Sequence, residues 1–188
     1  MGWICPGRPV RTFAAMEIDS LFGLPAHPLV VHAVVVLLPL AAVGLVVTAA
    51  LPRSRRFYAP LVFAAAVAST VGVGMAQGSG QSLEEQVDET HLVHEHTEQG
   101  EKVLPWAIAV LVVSGAVVGA DLVARRSPNG SANGSPNGSP NGMPKALTAG
   151  LVAAALIAGA GATWTVIDVG HSGAKATWND VSSESAGE

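Results

Sequence analysis

The sequence predicts an all-α integral membrane protein, a four-helix up-down bundle with both termini outside. Three observations predict it. Hydrophobic residues make up 49% of the 188-residue chain and charged residues only 13%, against roughly 25% charged in soluble domains. The apolar residues stand in long blocks rather than amphipathic stripes, which leaves no polar exterior for a soluble fold. Cationic residues also segregate to alternate gaps between those blocks.

In chain order, residues 1–23 form a poorly ordered N-terminal segment. They hold no apolar core of the ~7 residues that a cleavable signal needs, and Met16 is an alternative start. Cys5 is the single cysteine, so no intramolecular disulfide is available. Residues 24–178 form the membrane domain, with spans at about 29–51, 57–76, 103–124 and 146–169. Each approaches the ~20 residues that cover a ~30 Å hydrocarbon layer at ~1.5 Å per residue. Pro39 is expected to kink the first span. Rows of small residues (Ala64, Ala68 and Gly72; Gly115 and Gly119; Gly150, Ala154, Ala158 and Ala162) are expected to pack the helices closely. Residues 127–144 carry the tandem units SPNGSANGSPNGSPNG, turn formers with nothing to bury, and read as a flexible tether. Residues 179–188 read as a disordered tail.

Arg53, Arg55 and Arg56 fill the first hairpin loop, and Arg125, Arg126 and Lys145 the third. The positive-inside rule places both loops in the cytoplasm. Every acidic residue except Asp121 falls on the opposite, outer side. Asp121 stands four residues before Arg125, the spacing of a helix-surface pair. Trp106 and Trp164 lie at the depth of an interfacial aromatic belt. The expected location is the cell membrane, multi-pass, with the lipid bilayer as partner and no nucleic acid.

All six histidines fall on the outer side, at three different span ends. His32 lies about one turn inside the first span, and ionisable residues so placed usually face a bundle interior or a polar cavity. The positive end of the helix dipole disfavours its imidazolium form and leaves the neutral imidazole that binds metals. His27 is five residues earlier, ~140° away on an ideal helix, so it acts from the Pro25–Pro28 segment if it acts with His32. His171 lies between Gly170 and Gly173, where a tight turn with close backbone approach is expected just after the fourth span. Asp168 is placed to orient an imidazole from behind. His91 and His94 belong to a solvated acidic loop and read as surface residues. His96, in HTEQG, runs directly into the third span.

Three stretches, LPAHPLVVH, HTEQG and GHSGAKATW, resemble an uncharacterised group of bacterial four-span proteins, the domain of unknown function 2231 family. The resemblance rests on HPxxVH at His27, Pro28 and His32 joined to GHxG at Gly170, His171 and Gly173, and covers residues 24–178 outside the repeat. It implies a four-span fold and a site of His27, His32, His96 and His171. It implies no activity.

Four imidazoles from three span ends suit two chemistries. One is b-type haem held by axial histidines, an electron-transfer module with a redox partner on the outer side. Lys102 and Lys175 would then pair with the propionates. The other is zinc or copper bound by the same four imidazoles. A third reading is a non-enzymatic structural or pH-sensing membrane module. No serine-nucleophile motif, HExxH or phosphate loop occurs, which argues against a hydrolytic enzyme. The spans also lack the buried charges that an ion pathway needs.

Overall fold

The computed structural model describes the backbone of residues 20–21, 24–84, 91–126 and 143–185, and the side chains of 29–80, 94–126 and 143–175. The expectations for residues 1–19 and for the tether at 127–142 lie outside the described residues. Two short strands, β1 (Ser20–Leu21) and β2 (Leu24–Pro25), pair antiparallel and lead into α1 (Ala26–Ala50). Then follow α2 (Pro52–Glu84), α3 (His91–Glu101), α4 (Val103–Arg126) and α5 (Lys145–Ser185).

Four stretches are long and apolar enough to cross a membrane: Leu29–Ala50, Pro52–Gly80, His94–Arg126 and Lys145–Lys175. α1 packs against α2 and α5, and α4 packs against the same two. The order around the bundle is therefore α1, α2, α4, α5, with the first and fourth spans adjacent as the up-down topology requires. Leu38 and Leu45 of α1, Ala66 of α2, Val110 of α4 and Ala155 of α5 fill the centre, each 0% exposed. Large apolar side chains point outward instead, Val36 at 68% and Ile157 at 65% exposed, a surface suited to lipid rather than water.

The α1–α2 hairpin turns on one residue, Leu51. Pro52 opens α2 at the position where a missing N–H costs nothing. The Ser54 hydroxyl donates to the Leu51 carbonyl at 2.7 Å, closing the turn. The buried hydroxyls of Thr48 and Ser69 are satisfied within their own helices: Thr48 donates to the Gly44 carbonyl at 2.8 Å, and Ser69 to that of Ala65 at 2.8 Å.

The chain enters α1 and leaves α5 at one end of the bundle, here the histidine end; the opposite end carries the arginines. At the arginine end Asp121 and Arg125 pair as expected, with contacts of 2.7 and 2.6 Å. Arg55 behaves differently from its neighbours. It is 2% exposed, and its guanidinium donates to the carbonyls of Thr48 and Ala49 and to Met143 Sδ.

Several expectations differ from what forms. The helices outrun the hydrocarbon layer, because a helix propagates wherever neighbours still bury its face, whatever the bilayer thickness. α2 continues to Glu84, and α5 continues to Ser185, past the start of the expected tail. The acidic loop contains a helix, α3, that leans on α5. Gln77 of α2 donates to the carbonyls of Gly100 and Glu101 at its end, at 3.1 and 3.5 Å. In α2 the inward row is Ala59, Val62, Ala66, Ser69 and Val73, while Ala64 and Ala68 face outward. Small size alone does not set the phase of a helix whose two faces are both apolar. Trp164 is 71% exposed and fits a lipid belt; Trp106 packs inward against α5, over Gly161.

Candidate functional site

The site candidates gather where α3 lies against α5. His96 is half-buried there. Its Nδ1 is 3.1 Å from the Ser172 hydroxyl, and that hydroxyl donates to the Val169 carbonyl at 3.0 Å. A hydroxyl has one proton. With that proton on Val169, Ser172 is left to accept, and the matching His96 tautomer is the one that donates from Nδ1. Ser172 is 9% exposed, which shields both bonds from water.

Gly173 makes this approach possible. A Cβ there would stand 3.0 Å from His96 Cε1 and 3.4 Å from Nδ1. The glycines around His171 therefore do not build a turn: the helix runs straight through them to Ser185, and Gly173 is a flat place for a neighbouring ring. Gly173→Ala is expected to push the imidazole away and to cost about 1 kcal/mol, one net hydrogen bond. Side-chain ¹⁵N NMR of His96 reads this as a loss of the Nδ1–H tautomer.

Beside this contact lies a polar cavity of about 120 Å³, lined by Glu95 and Gln99 of α3 and by Asp168, His171, Ser172 and Lys175 of α5. The spacing follows from helix geometry: Glu95 and Gln99 are one turn apart, as are Asp168 and Ser172. Gln99 Nε2 donates to Glu95 Oε1 at 3.3 Å. Its own Oε1 is buried and accepts no hydrogen bond from the described residues, so it presents an acceptor to a donor such as water.

Of the expected site residues, the structure brings His96 against Ser172 and Gly173, and gathers His171, Asp168 and Lys175 around one cavity. His32 is exposed in the second turn of α1, outside that lining. Lys102 is exposed in the turn between α3 and α4, also outside it. His27 lies in the first turn of α1 and His91 begins α3; both side chains lie outside the described residues. His94 is exposed and stands 3.5 Å from Glu98, as its surface reading implies. Among the described residues no three His, Cys, Asp or Glu side chains converge as a metal-binding group. Ser172, Glu95 and Gln99 were not foreseen. Only the serine inside GHSG, one residue from a candidate ligand, gave a signal.

Residues 23–184 match the family described as a predicted membrane protein, DUF2231. The chain belongs to this family. The DUF2231 match takes in all four spans and every residue of the α3–α5 site, so bundle and site form one family unit rather than a scaffold with an appended module. No curated protein and no solved structure matches the chain. The DUF2231 description gives no activity.

Proposed function

We propose that the protein is a multi-pass protein of the cell membrane whose histidine end faces outward and holds a cofactor through imidazoles, the redox group b-type haem ahead of a zinc or copper ion. The orientation follows from Arg53, Arg55, Arg56, Arg125, Arg126 and Lys145 at the other end.

The observation that carries the reading is the held imidazole of His96. Histidines that ligate metals usually donate their other N–H to a fixed acceptor, which sets both tautomer and ring angle. Ser172, 3.1 Å from His96 Nδ1, supplies that acceptor and holds the ring in place. Haem asks the protein for only one or two axial imidazoles, whereas zinc needs three or four donors. Drug-sized ligands occupy ~300–1,000 Å³, so the 120 Å³ cavity admits water or an ion and not a porphyrin. His32 and His171, both exposed at this end, are the candidates for the second axial position. Lys175, at the cavity edge, is the nearer partner for a propionate.

The test is the absorption spectrum of the protein, expressed with haem precursor and purified in mild detergent. A Soret band that shifts on reduction is expected. His96→Ala and His32→Ala should each lower the haem content severalfold, while His91→Ala and His94→Ala leave it unchanged. Ser172→Ala should weaken cofactor affinity by about tenfold. A colourless protein with stoichiometric zinc or copper would transfer the site to those ions. A colourless, metal-free protein would overturn the cofactor reading and leave a structural module.

A further inference from the structure

We infer that the arginine end binds the phosphate of an anionic phospholipid headgroup. Four exposed cations stand at that end on three helices: Arg53 and Arg56 on α2, Arg126 on α4 and Lys145 on α5. Arg53 and Arg56 share one face at i, i+3 spacing, while Arg55 between them turns inward.

The local electrostatics call for an anion. Among the described residues Asp121 is the only acid at this end, and it is committed to Arg125 at 2.6 Å. The tether between Arg126 and Met143 contains no acid in its sequence. The first turns of α2 and α5 hold no acidic residue; they carry Arg53, Arg55 and Lys145 instead. A cation at the positive end of a helix dipole is unfavourable, and two helices here present that end with their cations still attached. A phosphate offsets both the side-chain charge and the dipole.

The neighbouring aromatics select a lipid phosphate over a free one. Phe57 and Tyr58 are 73% and 57% exposed directly beside the cations, and the Arg56 guanidinium sits 5.9 Å above the Phe57 ring. Exposed aromatics at a span end lie at headgroup depth. The cations beside them are therefore level with lipid phosphates, where each basic residue is worth roughly a fivefold preference for an anionic surface.

The experiment uses the full chain in nanodiscs of phosphatidylcholine doped with phosphatidylglycerol, and counts lipids retained on mild detergent extraction by native mass spectrometry. Phosphatidylglycerol should be retained over phosphatidylcholine. The Arg53→Gln, Arg56→Gln, Arg126→Gln variant, altered only at exposed positions, should lose that preference by about a hundredfold (three charges at about fivefold each), and the matching triple Lys variant should keep it. A wild type that retains both lipids equally overturns the proposal, as does a preference that survives the triple Gln change. If inorganic phosphate at millimolar concentration displaces the lipid and is itself retained, the site belongs to the free anion and the lipid assignment falls.

Discussion

Arg55→Ala should destabilise the bundle by on the order of 4 kcal/mol, read as a shift in the SDS-driven or thermal unfolding of the detergent-solubilised protein. A helix leaves its last carbonyls without intrahelical donors. α1 ends at Ala50 and turns at once into α2; the Leu51 N–H and the Ser54 hydroxyl both go to the Val47 carbonyl, at 2.9 and 3.3 Å. Arg55 fills the gap from the first turn of α2: its Nε donates to the Thr48 carbonyl at 2.8 Å, and a terminal nitrogen donates to that of Ala49. Its cation also meets the negative end of the α1 dipole. Met143, 3% exposed, closes over the guanidinium, with Sδ 3.5 Å from the other terminal nitrogen. Truncation thus removes two charge-assisted bonds, each worth about 1.5–3 kcal/mol, and opens a void at a three-helix junction.

Arg55→Lys separates charge from geometry. An ammonium keeps the charge, but its single nitrogen cannot reproduce the fork that reaches two successive carbonyls, and about half the loss should remain. Arg53→Ala, at an exposed position in the same turn, should stay within about 0.5 kcal/mol of wild type. Equal effects at 53 and 55 would show that Arg55 is hydrated rather than buried in its carbonyl cradle.

These arginines also show how far the sequence can be read. The run LPRSRR announces a charged hairpin loop, and the positive-inside rule needs only the count of its cations. Which of the three turns inward depends on helical phase and on where α1 ends, and neither is visible in a loop read as three equivalent charges. The spans were legible because hydrocarbon thickness demands a run of apolar residues. Their helical extensions were not, because Glu84, His91 and Ser185 lie in polar sequence without the apolar run that marks a span. The histidine end divides the same way. His96 and His171 were singled out by their places at span ends. The part of Ser172 was hidden because a serine acquires a role only through the helix that faces it. Gly173 suggests both a turn and a close approach; the helix runs on, so the turn is absent, and the close approach is that of the His96 ring from α3.

Gly161 carries the same ambiguity with a larger consequence. Gly161→Ala should destabilise the protein by about 1–3 kcal/mol, the usual cost of overpacking a filled core. Helix propensity alone predicts the opposite sign, since alanine is favoured over glycine inside a helix by up to ~1 kcal/mol. The deciding quantity is the space above the Cα. A Cβ at 161 would overlap Cε3, Cζ3 and Cδ2 of Trp106, a clash that no rotamer adjustment of a methyl group relieves. Either the indole swings out of the α4–α5 seam or the helices part, and both give up dispersion contacts along the buried row of Ala107, Ala158 and Ala162. Trp106→Leu alone should also destabilise, by leaving a hollow above the bare Cα. Combined with Gly161→Ala, the smaller side chain admits the methyl, and the double variant should be about 1–2 kcal/mol more stable than the sum of the single losses. Unfolding of all four proteins in one detergent measures that coupling. Strict additivity would mean that the indole does not rest on Gly161 and that α4 and α5 are held together elsewhere along their length.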